Sequence, residues 1–233
     1  MGSSATSDTR WSQLPAARSR RRAAVEMAVA YGLILAVVWS PRAYQRWLWW
    51  LAAGAVAYIT AISFDGAKAM GLRGANFLRS SWVIGVALGM AAAAIAVAAR
   101  AHTLRWPPGF LRFVEAYFAY TVWSFVQQFL LQGFFLLRFL RLFPARRWAA
   151  FFAAALFALA HLPNPVLTPI TFLWGLAACP IFLRYRNLYP LALAHAVFGI
   201  TIAITVPGHV DHNMRVGLGY LTYVHRAHNL PLR

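Results

Sequence analysis

Three stretches of this 233-residue chain place polar side chains inside otherwise apolar runs. The first is Gln127-Gln128-Phe-Leu-Leu-Gln132. Thr121, Ser124, Gln128 and Gln132 follow at spacings of three and four, so on one helix they share a face. The second ends Phe157-Ala-Leu-Ala-His161, and the third is His195-Ala-Val-Phe-Gly199. An amide offers neutral donors and acceptors. A neutral imidazole offers one of each and can take a proton near neutral pH. In a transmembrane helix such groups are costly and mark function by default. Their ordinary alternative is helix–helix adhesion, worth about 0.6 kcal/mol per contact. Three helices carrying them together favour a polar internal cavity over adhesion.

Seven apolar segments position these residues, at 23–40, 47–64, 82–99, 113–137, 148–162, 166–183 and 188–206. Most approach the ~20 residues that cross a bilayer as a helix. Backbone groups in lipid must be paired internally, so the runs are helices, and the alternation of a β-barrel is absent. Only Pro163-Asn164-Pro165 separates the fifth from the sixth, which predicts a tight hairpin. At a helical rise of 1.5 Å, Gln127, His161 and His195 lie roughly 15, 20 and 10 Å into their helices, in one band of a ~30 Å core. The fold class is therefore an all-α, polytopic transmembrane bundle of about seven helices. Residues 1–22 read as a disordered basic tail and 23–206 as the membrane domain. Residues 207–233, with His209, His212, His225 and His228, read as a polar tail along the interface. Gly85-x-x-x-Gly89 predicts close packing of the third helix. Glu26, four residues from Arg22, and Glu115, three from Arg112, read as local pairs that snorkel, and Asp65 and Asp211 as interfacial.

Composition supports the class. Hydrophobic residues make up 61% of the chain and charged residues 12%, which leaves too little polar surface to cover a soluble domain. There are 22 Lys+Arg against 5 Asp+Glu, but the basic residues punctuate apolar runs, so anionic headgroups are the expected partner and nucleic acid is not. With the N-terminus inside, 14 basic residues fall on the inner side and 8 on the outer, which predicts a cytoplasmic N-terminus and an opposite C-terminus. The single Cys179 excludes an intrachain disulfide and a multi-cysteine metal site.

The order of the three motifs resembles the CPBP family of intramembrane proteases, the CAAX proteases and bacteriocin-processing enzymes also called Abi. That family carries Glu-Glu-x-x-x-Arg, then Phe-x-x-x-His, then His-x-x-x-Asn or a similar residue. Here Gln127, Gln128 and Gln132 occupy the first motif, Phe157 and His161 match the second, and His195 and Gly199 occupy the third. Arg186-Asn187-Leu-Tyr-Pro190 resembles the family's entry into its last helix, and the likeness covers roughly 113–206. The resemblance implies an integral protein of a bacterial inner membrane. It implies a catalytic set of Gln127, Gln128, Gln132, His161 and His195, with Phe157, Asn164, Asn187 and Gly199 about the substrate. The substrate would be a prenylated or membrane-embedded peptide or protein.

The departures bear on activity. The family's first glutamate is the expected general base, and glutamine cannot take that proton at neutral pH. General-base assistance is typically worth about 10²–10⁴-fold. Two acids and an arginine are replaced together, so no orphaned charge is left in the membrane. Two functions follow. One is an intramembrane endopeptidase with His161 or His195 as base. The other is a non-catalytic protein that binds a lipidated or membrane-embedded segment in the same cavity. A transporter has less support, because no charged pathway is visible. No metal or other cofactor is expected, since His161 and His195 lack a third ligand of the kind catalytic zinc uses.

Overall fold

The structure is a computed structural model that describes residues 20–107 and 109–223. Residues 1–19, His225 and His228 lie outside the described residues. Seven helices account for the seven apolar runs: α1 (Arg20–Trp39), α2 (Arg42–Ile62), α3 (Trp82–Arg100), α4 (Phe110–Gln128), α5 (Arg146–Leu159), α6 (Leu167–Tyr185) and α7 (Tyr189–Thr205). Helix α4 does not stop at Gln128. It runs on through a π-helical stretch, Phe129–Leu136, and a last α-helical turn, Leu137–Leu142. By length and apolar composition three helical stretches among the described residues suffice to cross a membrane: Arg20–Trp39, Phe77–Arg100 and Leu167–Tyr185. Tyr189–Thr205 is a shorter apolar helix.

Local sequence explains the boundaries. Pro41 precedes α2 and Pro190 stands in the first turn of α7, where a missing N–H costs no helical bond. Arg186 ends α6 in the left-handed conformation, and Asn187 Oδ1 accepts from Tyr189 N to start α7. The α5–α6 hairpin predicted from Pro163-Asn164-Pro165 is present and is the tightest pairing in the bundle. A Cβ on Gly175 would lie 2.8 Å from Ala154 Cβ, so glycine there is what lets α6 approach α5. On α3 the expectation is overturned. A Cβ built on Gly85 or Gly89 would meet nothing within 4 Å beyond its own helix, and both residues are exposed. Val83, Ala87, Ala91 and Ala98 make the buried stripe instead, because small side chains at helical spacing already permit the approach of α7.

The extended α4 ties two packing groups together. Its N-terminal half packs on α7, which packs on α3, while its C-terminal end packs on α1 and α5. The π-helical stretch between them meets α5 and α6. The ends of α1 and α4 are joined by charge. Glu26 accepts from Arg22 Nε and Arg138 Nε, each at 2.9 Å, and from the Ser63 hydroxyl. Arg138 is fully buried, with its guanidinium 3.5 Å from the Phe134 ring centroid. Glu26 is thus a buried bridge across three segments rather than a snorkelling local pair. Arg138, over a hundred residues distant in sequence, supplies the cation that makes burial tolerable. The Asp65 side chain is likewise buried, paired with Arg141, though the residue as a whole is half-buried. Glu115 is exposed and makes no ion pair among the described residues.

Short helical turns at Gly208–Asp211 and Gly217–Leu221 fold the chain beyond α7 back over the end of the bundle. Gly217 seats against Val38 of α1, and its N–H donates to Leu162 O at 2.7 Å. We call residues 207–217 the strap. Asp211 inside it is fully buried, because its backbone and side chain are both used to hold the strap's fold.

Candidate functional site

A cavity of about 460 Å³ opens among α1, α4, α5, α6, α7 and the strap. Most of its wall is apolar. Its polar groups include Gln127, Tyr120, His161, Trp174, His195 and Asn213, beside Tyr31 and Thr171, whose hydroxyls donate to the Leu156 and Leu167 carbonyls. None of the described residues that line it is Asp or Glu.

The two histidines arrive from different elements. Helix α5 ends at Leu159, so His161 stands in the turn just beyond it rather than within the helix. Its Nδ1 is 2.8 Å from Phe157 O. A carbonyl only accepts, so that nitrogen carries the hydrogen and Nε2 remains an acceptor. His195 sits in the first half of α7, 5% exposed. Its Nδ1 lies 3.0 Å from Gln128 Nε2. The amide donates to Nδ1, which leaves His195 Nε2–H as a donor. The Phe157 ring makes edge-type contacts with both, at 4.9 Å from the His161 ring and 5.8 Å from the His195 ring. The cavity lining thus includes one imidazole with an acceptor nitrogen left and one with a donor N–H left.

The glutamines take different places. Gln127 lines the cavity, and its Oε1 has no hydrogen-bond partner. Gln128 is fully buried behind His195 and orients it. Gln132 is fully buried against Cys179 on α6, away from the cavity lining, and neither amide atom has a geometric hydrogen-bond partner. An ideal helix would have put Gln132 beneath Gln128. The π-helical stretch begins at Phe129, adds residues per turn and so breaks that i, i+4 relation. Ser124 and Thr121 donate to the carbonyls of Tyr120 and Tyr117, so their hydroxyls serve the helix backbone.

Three other expected site residues fall at different places. Asn164 does not line the cavity. Its Oδ1 accepts from Val166 N and Leu167 N at 3.0 and 2.9 Å, capping α6, while Nδ2 donates to Asp211 O and Arg215 O of the strap. Asn187 also lies off the cavity, where its Nδ2 donates to Ala75 O. Gly199 is in the wall, and a Cβ there would lie 1.8 Å from the Tyr120 hydroxyl.

Sequence reasoning passed over Tyr120, Trp174 and the strap. Tyr120 stands seven residues before Gln127, two helical turns along the same face, and that spacing is a usable signal. Trp174 Nε1 is buried without a partner, which is unusual for an indole N–H. The strap covers the cavity with Asn213, Met214 and Val216. His212, Asn213 and Met214 are all left-handed, at φ 50°, 54° and 60°, a conformation that costs L-residues roughly 1–2 kcal/mol each. The strap is held in it by Asn164, by Arg105 Nη1 donating to Asn213 Oδ1 at 2.8 Å, and by His212 stacked on Tyr220 and Tyr223. Among the described residues no group of three or more His, Cys, Asp or Glu could hold a metal.

Compared with known families, residues 108–201 match the family model described as Rce1-like: Type II CAAX prenyl endopeptidase Rce1-like. That stretch runs from the start of α4 through His195 and Gly199, so all three motifs fall inside it. No curated protein and no solved structure matches the chain.

Proposed function

We propose, from the premise that this is a CAAX-protease-like membrane protein whose residues 108–201 belong to the Rce1-like family, that its cavity binds a lipidated peptide segment without hydrolysing it by carboxylate catalysis. One observation carries this reading. The cavity has no carboxylate among its described lining residues, while His161 and His195, which line it from different elements, are left with an Nε2 acceptor and an Nε2–H donor respectively. A peptide group presents one donor and one acceptor and complements that pair. The apolar remainder of a 460 Å³ cavity, within the usual range of about 300–1,000 Å³ for ligand sites, suits a prenyl or acyl chain. Water activated by a base is the missing ingredient of proteolysis. Gln127 and Gln128 stand where the resembling family keeps its acids, and neither takes a proton. The protein then acts as a membrane-embedded receptor for a prenylated or membrane-inserted peptide. We place it in a bacterial inner membrane with its N-terminus in the cytoplasm, which the asymmetry of 14 to 8 basic residues supports.

A second reading is a histidine-based endopeptidase. The uncommitted Nε2 of His161 favours it, since a neutral imidazole in the cavity can accept a proton from water. Full-length protein in liposomes, given S-farnesylated and unprenylated forms of one peptide, separates the two. The binding reading expects tighter association with the farnesylated peptide and an intact peptide by mass spectrometry. Robust turnover that is lost in His161→Ala or His195→Ala overturns it in favour of the second. A Gln127→Glu variant should remain inactive, because an ionised carboxylate there faces no cation in the cavity lining.

A further inference from the structure

We infer that the Tyr120 hydroxyl is a second hydrogen-bond donor for the peptide carbonyl held by His195, brought to its place from another helix by the absence of a side chain at Gly199. The inference deepens the peptide-binding reading and rests on it.

Tyr120 belongs to α4 and Gly199 to α7. A Cβ built on Gly199 would stand 1.8 Å from Tyr120 Oη, 2.3 Å from Cζ and 2.4 Å from Cε1. The phenol tip therefore occupies the volume in which a side chain at 199 would begin. No L-amino acid other than glycine fits at 199 while the ring stays where it is. Gly199 is the fourth residue after His195, so its Cβ position lies about 5–6 Å from that of His195 on the same helix face. Both residues, and Tyr120, line the cavity. Helix α7 thus presents two polar groups one turn apart, the imidazole on its own residue and the hydroxyl lent by α4.

A carbonyl oxygen has two lone pairs. His195 Nε2–H satisfies one and Tyr120 O–H the other, while His161 Nε2 takes the peptide N–H. A carbonyl buried in an apolar cavity with one lone pair unmet is costly, so the second donor discriminates between a peptide and a bare apolar chain. Thr121 and Ser124 donate to carbonyls of their own helix, and Gln128 donates to His195. Ser124 Oγ, close to the Tyr120 side chain, is the hydroxyl's alternative acceptor when no peptide is bound, and the peptide carbonyl takes the hydroxyl from it.

The test measures two probes on full-length protein in liposomes. One is a dansylated, S-farnesylated tetrapeptide. The other is farnesyl methyl thioether, which has the same chain and no carbonyl, read by competition. Tyr120→Phe keeps the ring and its packing and removes only the hydroxyl. It should weaken the peptide about tenfold and the thioether less than about twofold. Gly199→Ala must displace the ring and should lower the peptide preference in the same way. Tyr120→Ala with Gly199→Asn vacates the ring and puts an amide donor into the freed space, and should recover most of the preference. Equal losses for both probes in Tyr120→Phe would assign the tyrosine to packing and overturn the inference while leaving the binding reading intact. No loss for either probe would overturn it too. A wild-type protein that binds neither probe removes the binding reading and this inference with it.

Discussion

Two buried polar clusters share the extended helix α4, about ten residues and roughly 15 Å apart. Around Arg138, two arginines, Glu26 and Ser63 converge on one another, and both carboxylate oxygens of Glu26 are engaged. Around Gln128, the lining holds no carboxylate and no Lys or Arg among the described residues, and its polar groups are imidazoles, amides, hydroxyls and indoles. There the accounting does not close. Gln127 Oε1, Gln128 Oε1 and Trp174 Nε1 are buried without hydrogen-bond partners among the described residues. The contrast removes one explanation for the neutral cavity, that this chain avoids buried charge. It buries a charged arginine ten residues further on. What separates the clusters is charge pairing. The charged one turns its arginines and its carboxylate on one another, with Arg138 Nη2 held 2.9 Å from Glu26 Oε2 by ion pairing though outside hydrogen-bond geometry, and joins α1, α2 and α4. The neutral one keeps donors and acceptors in reserve, as a site that awaits a ligand must.

The widest test of that contrast is Glu26→Ala. It strands Arg138, which is fully buried, and breaking a buried pair by removing one partner costs about 3–5 kcal/mol. Thermal unfolding in detergent should show a larger drop than Asn164→Ala or Gln128→Met produces. A loss below about 1 kcal/mol would mean that the cluster is not the fastener its geometry implies.

Next in size is Asn164→Ala. Asn164 lies three residues from His161, yet all four of its hydrogen bonds go to backbone, two into α6 and two into the strap. It belongs with the fastening cluster despite its address beside the cavity. Loss of the cap and of both strap contacts should cost about 2–3 kcal/mol. Limited proteolysis should then cut first at Arg215. Unchanged stability with impaired ligand binding would instead move Asn164 into the site.

Glutamines sharpen the contrast within a single helix. Gln132 lies against the Cys179 thiol, a weak partner, and neither amide atom meets hydrogen-bond geometry among the described residues. Gln132→Met therefore removes two poorly satisfied groups and keeps the shape. Its stability should stay within about 0.5 kcal/mol of the natural protein or exceed it. Gln128→Met strands His195 Nδ1 and should cost about 1–2 kcal/mol. Equal losses in the two would show that Gln132 has a role its surroundings do not reveal.

Much of the fold was legible in the sequence, for identifiable reasons. Apolar length alone marked the seven helices, and Pro163-Asn164-Pro165 marked the hairpin. The three polar motifs pointed to His161, His195, Gln127 and Gln128, which do meet. What escaped depended on contacts distant in sequence. Glu26 looked local because Arg22 is four residues away, and Arg138 is not visible from there. Gln132 was placed by an ideal 3.6-residue period, which the π-helical stretch interrupts. Gly85 and Gly89 carried a packing signal that the neighbouring alanines satisfy. The strap reads as an ordinary polar tail, since nothing local reveals that Asn164 and Arg105 will hold three left-handed residues across a cavity mouth.

The smallest expected effect lies in that strap. Asp211 is fully buried, and burial raises its carboxyl above the ordinary 3.8, against the opposing pull of the Asn213 and Met214 N–H groups and Arg105. Asn213 N donates to Oδ1 at 2.9 Å, while Oδ2 has no hydrogen-bond partner. A raised acid holds its proton more tightly in the folded chain than in the unfolded one. Folding is then favoured while the group stays protonated, and stability falls as pH rises from about 3.8 through the raised folded value. Above that value the whole penalty is present. Asp211→Asn has no proton to lose and keeps an oxygen for Asn213 N–H. Every other titrating group of the strap, His209 and His212 included, is common to both proteins and cancels in the difference. Unfolding followed from pH 3 to pH 7 should therefore show the natural protein losing ground to the variant as pH rises, with the gap flat beyond the folded value. A natural protein that instead gains on the variant over that range would mean that the ionised carboxylate is stabilised in the strap. Asp211 would then join Glu26 among the stabilised ions, and the cavity's cover would be fastened by charge.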